Sequence, residues 1–264
     1  MTAFRALVVS AHPDDIEFAC AGTVAGWVDA GAEVTYCIVT DGSTGTQDRS
    51  LMGTSLSELR KRESQEAAEV VGAKEIVWLD YRDGYVEYSL DLRRDIARVF
   101  RTVRPHRYLV MDPGSIVAGW FVNHPDHRAV GQASMDVVLT AGTTPGHFPE
   151  LLDEGVEPWR GLREMWIMGP GERAHIVDIS AQIDRKVAAL RCHASQIGDP
   201  DGTERFVRQF TAEQGKAHGF AHAESFQVIN RGPGFHDEDV PDDIEVDLAT
   251  PPIDPRSAPT RPQS

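Results

Sequence analysis

The chain has 264 residues, a hydrophobic content of 41% and a formal net charge of −15 at pH 7. That length is sufficient for one large domain with a generous apolar core. The excess of acidic side chains argues against binding to nucleic acid or to anionic membranes, because both need clustered Lys and Arg. We therefore expect a globular protein without nucleic-acid or membrane partners.

The number of cysteines and the hydropathy of the chain indicate the cellular compartment of the protein. Cys20, Cys37 and Cys192 are odd in number and fall in a predicted helix, strand and helix, which is typical of reduced thiols in a cytoplasmic protein. The N-terminus enters an apolar run at residues 6–9 without a secretory h-region or cleavage site. No stretch of about 18 apolar residues occurs, so the sequence predicts no transmembrane helix.

Apolar runs and amphipathic stretches alternate along the first half of the chain. The predicted strands are 6–10, 33–40, 75–80 and 108–111, and the predicted helices are 20–30, 56–71, 90–103 and 127–139. The first strand lacks polar alternation, which is typical of a strand buried on both faces of a parallel sheet. The pattern predicts an α/β fold with a mostly parallel sheet flanked by helices and an active site at the carboxyl ends of the strands.

The second half is less regular. Residues 142–163 are rich in Gly, Pro and acid and are interpreted as a long excursion of the functional or flexible kind. The later predicted elements are strands 164–168 and 175–179, paired as a hairpin across 169–171, and helices 183–195 and 202–219. Residues 237–264 are acidic and Pro-rich without an aromatic residue, which predicts a disordered tail after a single domain spanning 1–236.

Two clusters of His and Asp accompany this pattern. His12, Asp14 and Asp15 directly follow the first strand, and His124 and His127 lie at the start of helix 127–139. Both clusters therefore fall where open α/β sheets place their chemistry. A catalytic zinc site uses about three N or O ligands and leaves one position open. His12 and Asp15, three residues apart, and His127 from the other cluster can supply that set.

The remaining members of the clusters suit catalysis. A metal-bound water needs a base that lies near the ion without ligating it, and Asp14 fits because it adjoins Asp15 but points elsewhere. A cationic His124 would stabilise an oxyanion or protonate a leaving amine, with Asp126 holding its ring. Together, the candidate ligands, base and oxyanion stabiliser predict metal-assisted attack of water on a carbonyl group.

Other functions fit the sequence less well. Pro-Asp-Asp is ordinary turn chemistry, so the first cluster alone is ambiguous, whereas two clusters with ligand spacing at matching topological positions are not. A nucleotide-binding protein would need Gly-x-Gly-x-x-Gly after the first strand, where this chain has residues 12–15 instead. A two-metal phosphoesterase needs more ligands than these clusters offer. Fe²⁺ suits the same ligands as zinc, so the sequence does not decide between these two metals.

Several motifs also carry a family resemblance. They are Ala11-His12-Pro13-Asp14-Asp15-Ile16-Glu17, Ala21-Gly22-Thr23, Thr40-Asp41-Gly42, Arg60-x-x-Glu63, His124-Pro125-Asp126-His127 and, more weakly, Arg191-x-His193-x-Ser195-Gln196. With these motifs the chain resembles the PIG-L (LmbE-like) family of zinc-dependent N-acetylglucosamine deacetylases. The resemblance implies a Rossmann-like sheet and an N-acetylglucosamine-type amide as substrate, with a larger thiol or sugar conjugate as the alternative.

The resemblance also implies roles for individual residues. The zinc ligands, for one ion per chain, would be His12, Asp15 and His127. Asp14 would be the general base, and His124 the acid and oxyanion stabiliser with Asp126 behind it. Arg60 and Asp83 fall where the family holds the sugar or its substituent.

One position departs from part of the family. Mycothiol-type members place a tyrosine two residues before the equivalent of His124, where this chain has Val122. Either the chain does not belong to the mycothiol branch, or another hydrogen-bond donor takes the role of the tyrosine. Because relatives are often oligomeric, we expect a homo-oligomer.

Overall fold

The computed structural model describes residues 4–118, 121–169 and 174–230. Its strands are β1 (Arg5–Ser10), β2 (Glu33–Thr40), β3 (Glu75–Tyr81), β4 (Arg107–Val110), β5 (Val117–Ala118), β6 (Phe121–Val122), β7 (Glu164–Met168), β8 (Ala174–Asp178) and β9 (Ala223–Asn230). Its helices are α1 (Asp15–Ala19), α2 (Ala21–Asp29), α3 (Thr54–Val71), α4 (Leu90–Val103), α5 (Pro125–Asp136), α6 (Glu150–Asp153), α7 (Ile183–Arg191) and α8 (Pro200–Lys216). A π-helical turn, Val137–Ala141, extends α5.

Seven of the strands form one sheet in the order β3-β2-β1-β4-β7-β9-β8. The first five in that order run parallel, and β9 runs antiparallel to both β7 and β8. Leu7, Val8 and Val9 of β1 are fully buried, as expected for a central strand with helices on both faces. The predicted α/β class and mostly parallel sheet are confirmed. None of the described helices is long and apolar enough to span a membrane.

The predicted hairpin between strands 164–168 and 175–179 is wrong, because β9 lies between β7 and β8. The sequence analysis did not predict β9, whose run of residues mixes Glu224, Ser225 and Gln227 with apolar side chains. The Glu224 carboxylate is nevertheless buried, and it accepts hydrogen bonds from the backbone N–H groups of Gly22 and Thr23. Because the buried Glu224 is acidic, the hydropathy of this segment does not indicate a buried strand.

Other boundaries shift by a few residues. The predicted helix 20–30 corresponds to α2, whereas α1, which meets α2 at Cys20, was not predicted; α7 ends at Arg191 instead of continuing to residue 195. The excursion 142–163 contains the short helix α6. The predicted tail 237–264 lies outside the described residues.

The side chain of Lys186, in α7, connects this helix to β9 and to α1, the helix that begins at Asp15. Its buried ammonium donates hydrogen bonds to the carbonyl oxygens of Glu17 (2.8 Å) and Phe18 (2.7 Å), and it pairs with the Glu224 carboxylate at 2.8 Å. Lys186→Met leaves that carboxylate buried without its cation. We expect the free energy of unfolding, measured by urea denaturation, to fall by about 3–5 kcal/mol.

The matched control is Lys74→Met, because Lys74 pairs with Glu33 at 2.7 Å on the exposed surface. An exposed pair is screened by water and contributes little to stability. Equal destabilisation by both substitutions would contradict the special role of Lys186.

His106 joins β1 to β4 at the amino end of the sheet. Its Nδ1 accepts a hydrogen bond from the backbone N–H of Arg5 at 3.1 Å, which requires a ring without a proton on that nitrogen. Burial and the charge of Arg5 lower the pKa of His106 from 6.5 to about 4. The unfolded chain therefore binds a proton at higher pH than the folded chain does, and the stabilisation, full above pH 6.5, is lost as the pH falls toward 4.

Denaturation curves at several pH values between 4 and 7 test this expectation. His106→Asn keeps an acceptor near Arg5 but cannot titrate, so its stability should depend less on pH across this window. Parallel loss of stability in the variant and the parent would assign the pH dependence to other groups.

Candidate active site

The two clusters meet at the carboxyl edge of the sheet. His12 lies two residues beyond the end of β1, and His124 directly precedes α5, in the connection that follows β4. Because β1 and β4 are parallel neighbours, these segments emerge side by side. Pro125 occupies the first position of α5, where its missing N–H costs nothing. The sheet thus brings together residues that are more than a hundred positions apart in the chain.

Three side chains converge on one point as the sequence spacing predicts. His12 Nδ1 lies 3.4 Å from Asp15 Oδ2 and 3.1 Å from His127 Nε2, and His127 Nε2 lies 3.1 Å from Asp15 Oδ1. Their ligand atoms all fall within 4.8 Å of one another. Two imidazole nitrogens and one carboxylate in this arrangement match the donors of a catalytic divalent-metal site.

Asn123 orients one of these donors, and the sequence analysis assigned it no role. Its Oδ1 lies 3.0 Å from Nδ1 of His127, while its Nδ2 donates to the carbonyl oxygens of Asp112 and Ser115. An acceptor opposite Nδ1 fixes the proton there and leaves Nε2 free to bind a metal. The i, i+4 spacing of Asn123 and His127 is the signal that could have revealed this contact.

His12 is held from its other side by two carboxylates. Its Nε2 lies 3.3 Å from both Asp83 Oδ1 and Asp126 Oδ2. Burial lowers the pKa of His12, but Asp15, Asp126 and Asp83 outweigh burial and raise it to about 12. The ring thus lies in a site that strongly favours positive charge, which a divalent cation at Nδ1 would also supply.

Asp126 lies closer to His12 than to His124. Its carboxylate accepts hydrogen bonds from the backbone N–H groups of Gly84 (2.8 Å) and Val86 (3.2 Å), and it lies 3.9 Å from His124 Nδ1. The sequence analysis expected Asp126 to support His124. In the structure its shorter contact, at 3.3 Å, is with His12 Nε2.

His124 stands at the mouth of the site with its side chain 41% exposed. Its Nδ1 accepts the backbone N–H of Asp126 at 3.2 Å, which closes the first turn of α5. Burial and the neighbouring His12 lower the pKa of His124. This geometry favours a neutral ring with its proton on Nε2, instead of the cationic ring that the sequence analysis expected. The ring centroids of His124 and His12 are 4.6 Å apart, so the His124 ring borders the candidate metal site.

Asp14 precedes α1 in a left-handed backbone conformation, with φ at 98°. Among the described residues, two sets of three side chains could hold a metal ion, and neither contains Asp14: they are His12, Asp15 and His127, and His12, His124 and Asp126. Its carboxylate lies 3.3 Å from Nη2 of Arg60. Burial and the charge of Asp15 raise the pKa of Asp14 to about 7, against the opposing charge of Arg60.

Arg60 and Asp83 lie together beneath the loop at residues 41–46. Both are buried, at 3% and 5% exposure, and Arg60 Nη1 lies 3.7 Å from Asp83 Oδ2. Asp83 accepts a hydrogen bond from the backbone N–H of Thr44. Burial opposes ionisation, but His12 and Thr44 lower the pKa of Asp83 to about 2. The sequence analysis predicted that both residues bind substrate; this stays a prediction, and in the structure both also contact neighbouring groups of the protein.

His193 is a further buried group behind the site. It is fully buried, and its Nε2 lies 3.1 Å from Glu17 Oε2. Its charge is also among those that act on Asp14.

The fold and the site together define an α/β enzyme with a candidate metal centre at the carboxyl edge of its sheet. The chain belongs to the PIG-L family, since the family profile described as GlcNAc-PI de-N-acetylase matches residues 7–138. The family suggested by the sequence motifs is thereby confirmed.

Individual relatives agree with that membership. A diacetylchitobiose deacetylase of Thermococcus kodakarensis is 31% identical over 227 residues, which cover 85% of this chain and 83% of the relative. A probable N-acetyl-alpha-D-glucosaminyl L-malate deacetylase 2 of Bacillus anthracis is 27% identical over 201 residues, covering 72% and 80%. The structure of an N,N'-diacetylchitobiose deacetylase from Pyrococcus horikoshii matches with a TM-score of 0.80 and 32% identity, covering 86% of this chain and 84% of the other.

The donor set predicts a metal stoichiometry. We expect the protein to retain about one divalent ion per chain after dialysis, as a single three-ligand site would. His127→Ala removes one donor and should lower that content strongly. Elemental analysis of the purified proteins measures it.

His218→Ala is the matched control, because His218 is exposed beyond the end of α8. The control should keep the metal content of the parent. Full metal content in the His127 variant would show that the ion binds elsewhere.

Proposed function

We propose that this protein is a zinc-dependent deacetylase that removes the N-acetyl group of an N-acetylglucosamine-type substrate. The observation that carries the proposal is the convergence of His12, Asp15 and His127 with Asp14 beside them. Membership of the PIG-L family supports the reaction class, because the matching relatives are named as deacetylases of N-acetylated amino sugars.

Zinc fits the donor set, since two imidazoles and one carboxylate with an open position are its usual catalytic ligands. Fe²⁺ is the alternative metal, because the same ligands suit it. When bound, the metal would polarise the acetamide carbonyl and lower the pKa of water. His12 and His127 would bind it through Nδ1 and Nε2, the atoms that face Asp15.

Asp14 is the general base in this proposal. Its carboxylate adjoins the ligand Asp15 without belonging to the donor set, and Arg60 holds one of its oxygens. A carboxylate with a pKa near neutrality can both accept a proton from the attacking water and release it again. The proton that Asp14 accepts is therefore available to the leaving amine.

His124 stabilises the oxyanion through Nε2–H. The hydrogen bond from the Asp126 backbone to Nδ1 keeps the donor proton on Nε2. A fixed donor directed at developing negative charge lowers the barrier more than one that must reorient. Val122, 67% exposed, offers no hydroxyl, so we assign to His124 the donor role that mycothiol-type members share with a tyrosine.

The proposed substrate is an N-acetylated amino sugar in preference to a larger conjugate, because the named relatives act on diacetylchitobiose and on N-acetylglucosaminyl malate. Incubation with diacetylchitobiose, N-acetylglucosaminyl malate, its inositol counterpart and free N-acetylglucosamine, followed by assays for acetate and free amine, tests this. Release from any of them by the zinc-loaded protein supports the proposal. Hydrolysis only of bulkier amides would contradict it.

The cytoplasm is the compartment we propose. Cys20, Cys37 and Cys192 are free, and the first two are buried. Three unpaired thiols suit a reducing compartment, where disulfides do not persist.

Asp14→Asn tests the assignment of the base. The amide cannot accept the proton, so kcat should fall by about 10²- to 10⁴-fold. Metal content should stay at the parental level because Asp14 is not a ligand in this assignment. Steady-state kinetics and elemental analysis on the same preparations measure both quantities.

Asp29→Asn serves as the control, since Asp29 pairs with Arg185 on the surface. Its kinetics should match the parent. Loss of the metal from the Asp14 variant, with activity restored by added zinc, would make Asp14 a ligand and overturn its role as base.

A further inference from the structure

His193 is fully buried behind the candidate metal site, and neither set of potential metal-binding side chains among the described residues includes it. We propose that His193 is a positioning residue, whose hydrogen bond to Glu17 holds α1 in the orientation that catalysis needs. Through α1 it fixes the proposed base Asp14 and the proposed ligand Asp15. The inference deepens the proposed function and rests on it for the roles of these two carboxylates.

The helix α1 depends on its neighbours because it is only five residues long. It spans Asp15–Ala19, and an isolated helix of that length is unstable in water. Contacts with the rest of the protein must therefore fix its position. Lys186, in α7, donates to the carbonyl oxygens of Glu17 and Phe18 at 2.8 and 2.7 Å. In the turn that follows α7, His193 Nε2 lies 3.1 Å from Glu17 Oε2.

A movement of α1 would reach the site through the backbone. The N–H of Phe18 donates to the carbonyl oxygen of Asp14 at 3.1 Å, and Asp15 is the first residue of the helix. Asp14 has a φ of 98°, which is rare for a residue with a Cβ and persists only where the surroundings enforce it. A shift or rotation of α1 therefore changes the positions of both carboxylates.

The pair of His193 and Glu17 explains orientation better than stability. Glu17 is 3% exposed, so both partners are removed from water. Burial lowers the pKa of His193, but the hydrogen bond and the charge of Glu17 outweigh burial and raise it. Buried ion pairs are often no more stabilising than apolar side chains of similar volume, because desolvation offsets the attraction. Unlike apolar side chains, the pair favours one hydrogen-bonding geometry, which is what positioning requires.

Substitution of His193 by leucine and by glutamine tests this hydrogen bond. His193→Leu removes the donor, so kcat of the zinc-loaded protein should fall by about 10- to 100-fold, the cost of misplacing a reacting group by about 1 Å, with KM unchanged within about twofold. His193→Gln keeps an N–H donor for Glu17 and should restore kcat to within about threefold of the parent. Parental kcat in the leucine variant, or equal loss in both variants, would contradict the proposal.

Zinc affinity gives a readout that does not depend on turnover. Because Asp15 belongs to α1, His193→Leu should raise the dissociation constant for Zn²⁺ by about 10- to 100-fold, as the loss of groups that orient metal ligands does. His193→Gln should stay close to the parent. Competition with a chelator of known affinity measures both values. Unchanged zinc affinity in the leucine variant would overturn the link between His193 and Asp15.

A double substitution separates positioning from stability. Glu17→Met combined with His193→Leu replaces both partners by apolar side chains of similar volume, which is often neutral or stabilising for the fold. We expect a urea midpoint at or above that of the parent, together with the low kcat of His193→Leu. Parental kcat in the double variant would show that the pair only packs, even if His193→Leu alone failed to fold. A double variant that does not fold would assign the pair to stability and overturn the proposal as well.

His222→Leu is the matched control. His222 Nδ1 lies 2.9 Å from the hydroxyl of Thr211, in a contact that joins α8 to the segment before β9. The kinetics and zinc affinity of this variant should match the parent. A parent protein that hydrolyses no acetylated amino sugar would instead overturn the proposed function, and the zinc affinities would still decide whether His193 positions Asp15.

Discussion

Mutual repulsion among four carboxylates is the constraint on which the site depends. Asp14, Asp15, Asp83 and Asp126 all gather at the carboxyl edge of the sheet, and Asp83 and Asp126 are at most 5% exposed. Buried charges are tolerated only when they are paired and hydrogen-bonded. The chain meets this need with backbone N–H groups, the Arg60 guanidinium and the two faces of His12, and a divalent cation would supply the remaining positive charge.

His12 divides these carboxylates into two groups. Asp15 faces its Nδ1, and Asp83 and Asp126 face its Nε2. A histidine that binds a metal through one nitrogen commonly donates its other N–H to a carboxylate, which fixes the ring and increases its basicity as a ligand. Asp126, which the sequence analysis placed behind His124, therefore fits best as a residue that would orient the proposed ligand His12. The loop after β3 takes part as well, because Gly84 and Val86 hold the Asp126 carboxylate.

The parts of the fold that depend on local patterns could be predicted from the sequence. The apolar run of β1 and the three-residue spacing of His12 and Asp15 indicate the sheet edge and two of the three candidate donors without any long-range information. β9 could not be predicted, because Glu224 is buried by an ion pair with Lys186, 38 residues away in the chain. The tautomer of His124 could not be predicted from the sequence either, because it depends on the distance between the Asp126 backbone N–H and Nδ1 of His124.

Helix α3 shows why the role of a polar residue is harder to predict than its position. Its buried face recurs every three or four residues, yet it includes Arg60, Glu63 and Ser64 among the apolar side chains. Glu63 accepts hydrogen bonds from the backbone N–H and the hydroxyl of Ser195, at 2.7 and 2.6 Å. Arg60 and Glu63, one turn apart, thus contact Asp14 on one side and the segment after α7 on the other. The Arg-x-x-Glu spacing therefore joins the turn before α1 to the segment after α7, a long-range connection that the helical pattern of α3 does not indicate.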